Sequence, residues 1–443
     1  MEPATGGTSD DGAGGRPSRD TARLAANIPK VMFLNSAWMF LVVMPVIVPL
    51  FTSHGLSMEQ VFWLQSIYAG LVVCLEVPSG YLADLFGRRR SLILAGFFHG
   101  AAFTVLALAD SFPLFVCFEI LGALGNTFFS GSDVALLYDS EAALGREGEG
   151  THALGRKLLW AQVGETVAAL LAGALVIGGL MGPVIVNAFV AWLPLVVACT
   201  LVEPPRTVAG HDHRQNFRRI LGVLLRGDPL LRLTFLALIA YGLATLLAVW
   251  SFQGFWEDLG VPLGWFGVVW AAYNLTVALT GRLAHRFERT RGARPVILTI
   301  AVMPIVGYGG MALGGWWLSG GGTAEAPAWL GSPLQSLGGM LGVIAAVAVG
   351  LAFQVGRGLN QVVVKGAMNQ RVPPELRATA NSLSSLGVRI FFVLLGPAMG
   401  WGFDNHGYGS TFALVAGLFL VLLLTIALPL VVRIGRGGGA SAE

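Results

Sequence analysis

Apolar runs of about twenty residues recur along the chain, separated by short polar breaks: 31–51, 60–82, 91–109, 114–138, 157–178, 182–202, 229–253, 262–283, 295–318, 337–363, 379–402 and 409–432. A helix needs roughly 20 apolar residues to cross hydrocarbon, and backbone groups there must bond within their own segment. The pattern therefore predicts an all-α membrane protein of about twelve transmembrane helices. Residues 1–30 are polar and Gly-rich and read as a disordered tail. Residues 203–228, polar and basic, read as a linker between a bundle at 31–202 and a second at 229–432. Residues 433–443 form a second tail.

Charge fixes an orientation for these spans. With the N-terminus inside, all but two of the 28 Lys and Arg residues fall in inside segments or at inner span ends. Examples are Arg88, Arg89 and Arg90, then Arg218 and Arg219, then Arg286, Arg289 and Arg291. Basic residues concentrate on the cytoplasmic side of membrane proteins, so both termini are expected in the cytoplasm. The two exceptions, Arg357 and Arg389, lie inside spans.

Composition agrees and removes several function classes. Only 12% of residues are charged, against about 25% in soluble domains. Cys74, Cys117 and Cys199 all sit in apolar runs, which argues against a disulfide framework or a metal site. No basic patch is interleaved with aromatics, so nucleic acid is not an expected partner. No P-loop is present to bind ATP, and no nucleophile, base and orienter converge, so neither an enzyme nor a cofactor is expected.

The two halves repeat. Gly80-Tyr-Leu-Ala-Asp84-Leu-Phe-Gly87-Arg88-Arg89-Arg90 follows the second run, and Gly281-Arg282-Leu-Ala-His285-Arg286-Phe-Glu288-Arg289 follows the eighth. Gly164 and Gly173 in the fifth run align with Gly387 and Gly396 in the eleventh. Parallel six-helix repeats are one known transporter architecture. With Gly80, Asp84, Gly87, Arg88 and Arg89 in the form G-x-x-x-D-x-x-G-R-[RK], the chain from 31 to 432 resembles the major facilitator superfamily. The resemblance implies two pseudo-symmetric six-helix bundles in a bacterial inner membrane, a small-molecule substrate and a monomer. It implies that Asp84 caps the inner end of helix 11, and that Arg88 pairs with an acid at the inner end of helix 4, for which Asp139 is placed. It also implies that helices 1, 4, 7 and 10 line a central cavity. The drug-exporter branch carries R-x-x-Q-G in helix 4, where this chain has Leu121-Gly122-Ala123-Leu124-Gly125-Asn126.

Ionisable groups in hydrocarbon cost at least about 2.5 kcal/mol each, and they persist where they pair or line a wet cavity. Glu76, Glu119, Asp133, Glu165, Arg357 and Arg389 are such groups. On a continuous helix, Glu119, Asn126, Ser130 and Asp133 would share one face, as would Gln354, Arg357, Gln361 and Lys365. Three pairings are expected: Asp133 with Arg357 across the cavity, Glu76 with Arg389 between helices 2 and 11, and Glu165 with Tyr273 or Asn274 of helix 8. Glu76 and Arg389 serve either as a structural latch or in transport itself. Three acids meet two bases, and a carboxyl group left without a cation is a candidate proton carrier. Glu165 and Asp133 come first, with Glu119 as an outer relay. Asn35, Trp38, Tyr241, Thr245 and Trp250 could shape the pocket, while Trp256 and Trp316 are expected at the membrane interface. The expected function is proton-coupled efflux of a small organic solute. Proton-coupled uptake of a small, anionic metabolite is the alternative, and a non-transporting receptor or assembly partner is an alternative of another class.

Overall fold

The computed structural model describes residues 19–146, 150–205, 220–224, 228–318, 337–373 and 376–439, and within these the side chains of 77–85 and a few terminal positions are not described. Most of the 1–30 tail and most of the 203–228 linker thus lie outside the described residues, as do the side chains of Gly80 and Asp84.

The described chain is helical. Its first part runs α1 (Arg19–Ala25), α2 (Asn27–Trp38), α3 (Ile47–Ser53), α4 (Met58–Phe86), α5 (Arg88–Leu108), α6 (Phe112–Phe129), α7 (Ser132–Ala143), α8 (Gly150–Leu175), α9 (Met181–Val190) and α10 (Leu193–Thr200). Its second part runs α11 (Pro229–Asp258), α12 (Leu263–Arg291), α13 (Ala293–Leu318), α14 (Leu337–Ala348), α15 (Leu351–Leu359), α16 (Lys365–Arg371), α17 (Arg377–Leu422) and α18 (Leu428–Gly439). The expected disordered tail and C-terminal tail are in part helical, at α1, the start of α2 and the end of α18.

Ten helical stretches among the described residues are long and apolar enough to cross a membrane. The difference from the twelve predicted runs arises at two places. The last stretch, Thr379–Gly435, has 57 residues; as one helix it would measure about 85 Å against a hydrocarbon core of about 30 Å. It contains a non-helical residue, Gly407, at φ 73° and ψ 170°, where the two predicted runs meet. The first predicted run is divided by a turn and a short 3₁₀ segment, Met44–Val46, into α2 and α3. Backbone groups freed by that break find buried amides: Val43 N–H donates to Asn187 Oδ1 (3.2 Å), Val48 N–H donates to Gln253 Oε1 (2.9 Å), and Gln253 Nε2 donates to the Met44 carbonyl (2.9 Å).

The parts before and after the linker meet along two seams, α4 with α17 and α8 with α12. On the second seam a side chain at Gly267 would collide with the Ala169 carbonyl, and one at Gly173 with the Gly264 carbonyl. Small residues let helices approach this closely in lipid, where packing rather than the hydrophobic effect drives association. Trp256, expected at the interface, is buried instead. It stacks on Phe252 and meets Tyr273 edge-on, because α11 lies inside the bundle with most of its length covered.

Candidate functional site

A cavity of about 600 Å³ sits mid-bundle, bounded by α8, α11, α12, α15, α17 and the turn after α2. Glu165, Thr245, Tyr273, Asn274, Gln354, Arg357, Gln361 and Arg389 all line it. Glu165 spans the α8–α12 seam: Asn274 Nδ2 donates to its Oε1 (2.9 Å), and Gln162 Nε2 donates to its Oε2 (3.2 Å). Arg357 lies within electrostatic reach of Glu165. Tyr273 donates its hydroxyl to the Val347 carbonyl (2.6 Å), at the end of α14 beside the break before α15.

A π-helical segment, Asn360–Val364, follows α15. The wider turn inserts an extra residue in the helix, a feature that recurs at functional sites. Here Asn360 and Gln361, neighbours in sequence, both line the cavity. Asn360, three residues after Arg357 and so on the same side of the helix, is a lining residue that the polar stripe does not include.

The Glu119–Asp133 stripe has a different fate. Its continuous helix is broken at Ser130–Gly131, with Gly131 at φ 81°. The break removes the register that placed Asp133 on the face of Glu119. Asp133 is buried at the start of α7 and forms an ion pair with Lys157 of α8 instead of facing Arg357. Glu119 is buried and accepts a hydrogen bond from Gln65 Nε2 (2.6 Å) of α4. Asn126 is half-buried and Ser130 exposed, and neither lines the cavity. Tyr68 of α4 lies within electrostatic reach of both Glu119 and Arg389.

Glu76 meets α17 through Ser382, whose Oγ donates to its Oε1 (2.6 Å), while Arg389, two turns further along, lines the cavity. Of the other expected pocket residues, Asn35 is buried and bonds the Val31 carbonyl of its own helix. Trp38 is sandwiched between His99 and Phe129, with ring centroids 4.1 and 4.0 Å apart. Tyr241 is buried, and neither it nor Trp250 lines the cavity. Trp38 lies away because the α2 break turns the chain after it, so that Met39, Leu41 and Met44 reach the cavity instead.

At the signature turn Gly87 adopts φ 111° between α4 and α5. The N-terminus of α5 is capped by Glu203, which accepts from the N–H groups of Arg88 and Arg89 (both 2.8 Å). The Arg89 guanidinium donates to the Cys199 carbonyl (2.9 Å). Glu203 carried a sequence signal, an acid just past an apolar run and before two prolines.

On the face of the bundle away from the chain termini, several hydrogen bonds join the two parts of the chain. Asp404 of α17 accepts from the N–H groups of Met58 (3.0 Å) and Glu59 (2.8 Å), the first residues of α4. A carboxylate at a helix N-terminus satisfies orphan donors and complements the helix dipole. Gln253 adds its two bonds to the α2–α3 break, and Thr52 Oγ1 donates to Glu257 Oε2 (3.2 Å). These contacts all join the part before the linker to the part after it.

The Major Facilitator Superfamily profile matches residues 31–355. Among solved structures, the nucleoside transporter NupG shares the fold with a TM-score of 0.67 at 13% identity, over 93% of this chain and 98% of that chain. The D-xylose-proton symporter gives 0.61 at 16% identity, over 89% and 96%. A bacterial homolog of the human lysosomal transporter Spinster, in an inward-facing and unoccupied conformation, gives 0.65 at 18%, over 95% and 97%. At these identities the likeness is one of fold. No curated protein matches the chain by sequence.

Proposed function

The chain belongs to the major facilitator superfamily, and from that premise we propose that it is a secondary active transporter of a small organic solute, working by alternating access in a bacterial inner membrane. Twelve spans with both termini cytoplasmic accommodate the break at Gly407 and the divided first helix. The distribution of Lys and Arg supports that orientation. On this reading the closed face, held by Asp404 and Gln253, is the outer one.

The observation that carries the proposal is a mid-bundle cavity bounded by helices from both sides of the linker, with an acid on the seam between them. Glu165 is the proton carrier of choice. It is the acid on the described cavity lining, and its partners Gln162 and Asn274 are neutral amides. A carboxylate accepts from both amides, whereas a protonated carboxyl must turn one oxygen into a donor. A proton on Oε1 would therefore displace the Asn274 bond and alter the α8–α12 contact that alternating access has to remake. Asp133, already neutralised by Lys157, becomes a structural acid. Tyr68 supplies a polar step between Glu119 and the cavity's Arg389.

Proton-driven efflux is the first reading of direction. Uptake by symport of an anionic metabolite is the second, and the arginines on the lining favour it. A pump-deficient bacterium expressing the protein, grown against antibiotics, dyes and organic acids, separates the two. Resistance supports efflux, and improved growth on an organic acid as carbon source supports uptake. No effect on any compound, with the protein present in the membrane, counts against both.

A further inference from the structure

The described cavity lining carries two cations, Arg357 and Arg389, against one acid, Glu165. Both oxygens of that acid are already engaged by amides. Among the described residues neither guanidinium has a hydrogen bond or an ion pair, and Arg389 Nε is buried without a partner. Among the described residues the other acids of the spans form no ion pair with either arginine: Asp133 pairs with Lys157, Glu119 accepts from Gln65, and Glu76 accepts from Ser382.

A guanidinium without a hydrogen bond or ion pair at membrane depth is costly and points to a functional position. Arginine presents a planar fork of donors that matches a carboxylate or phosphate in bidentate fashion. The rest of the wall is mixed: Phe252, Trp270 and Val249 are apolar, and Gln354, Asn360 and Gln361 offer amides. A volume near 600 Å³ suits a drug-sized molecule rather than an inorganic ion. Both arginines stand on helices after the linker, so one half of the machine would hold the anion throughout a rocking cycle.

Resting on the transporter reading above, we infer that the substrate is an organic anion whose acidic group sits between Arg357 and Arg389 and whose apolar body lies against Phe252 and Trp270. Amphipathic cations and neutral solutes are excluded as preferred cargo.

The test is binding to the full-length protein in nanodiscs, read by quenching of tryptophan fluorescence, with phenylacetate, phenylacetamide and phenethylamine as probes. Phenylacetate should bind about tenfold to a hundredfold more tightly than the amide, in line with charge-assisted hydrogen bonds, and the amine should bind weakest. Arg357→Gln and Arg389→Gln should each erase the preference for the acid, while Arg357→Lys and Arg389→Lys keep part of it. Monodisperse elution of each variant guards against misfolding. Equal binding of acid and amide, or a preference that survives both glutamine variants, overturns the inference.

An anionic lipid headgroup has the same chemistry, so the titration is repeated with and without phosphatidylglycerol. Unchanged affinity supports a soluble anion, and competition by the lipid transfers the site to lipid and overturns the assignment. Because this is a binding experiment, its failure is separable from failure of transport. Proton-linked flux of a neutral solute would leave the transporter reading intact and remove only the anion.

Discussion

Two stretches, 119–133 and 354–365, look alike as sequence: each sets four polar side chains at helical spacing in an apolar run. They end up doing different things. In the first, the break at Ser130–Gly131 turns Asp133 toward Lys157, and its charge is cancelled within the part of the chain before the linker. In the second, the helix continues through a π-helical segment after Leu359, and Gln354, Arg357, Asn360 and Gln361 all reach the cavity. The contrast shows that a break of the helix turns a polar stripe into separate structural contacts, whereas a helix that continues keeps its polar face on the cavity.

The contrast can be broken most forcefully at the ion pair. Asp133→Asn strands a buried lysine, and loss of one partner of a buried pair costs about 3–5 kcal/mol. A large drop in melting temperature in detergent is expected, and adding Lys157→Met should recover most of it. If the double variant is no more stable than the single, the pair is not what holds α7 to α8. The opposite behaviour is expected at Arg357→Gln. Glu165 keeps both of its amide partners, so stability should change by less than about 1 kcal/mol while substrate binding collapses. A stability loss as large as that of Asp133→Asn would place Arg357 among the structural charges.

A subtler change sharpens the comparison at the backbone. Deleting Val362 should return the π-helical segment to an α-helix, rotating one side of the helix by about 100° relative to the other. Flux should fall to background with insertion and monodispersity retained, and normal flux would show that the segment does not position the lining. The smallest effect is expected at Asp404→Asn. Replacing a charged cap by a neutral one costs up to about 1 kcal/mol, enough to shift the population away from the closed face roughly fivefold. Labelling of a cysteine placed at Ser57 should rise accordingly, and unchanged labelling would remove Asp404 from the closure.

The helical membrane class and most span positions were legible in the sequence, because hydrocarbon demands long apolar runs. The cavity was legible in part. Glu165, Thr245, Tyr273, Asn274, Gln354, Arg357, Gln361 and Arg389 were named from polarity inside spans, and all line it. What was not legible depends on departures from ideal helices. The Gly131 break moves Asp133, and the α2–α3 break sets Trp38 apart and draws in Gln253. Hydrophobic periodicity holds no record of such breaks. The amides that fill them, Asn187 and Gln253, are visible only as isolated polar letters in apolar runs.

The central claim is that a proton taken up at Glu165 drives movement of solute through this cavity. It is tested most directly in proteoliposomes under an imposed pH gradient, comparing the wild type with Glu165→Gln on the best-bound probe. The account predicts concentrative, gradient-driven flux in the wild type. In the variant it predicts loss of that accumulation while solute-for-solute exchange at equal pH persists, since both arginines remain on the lining. Accumulation by Glu165→Gln at the wild-type level would contradict the claim and send the search for the proton to another acid.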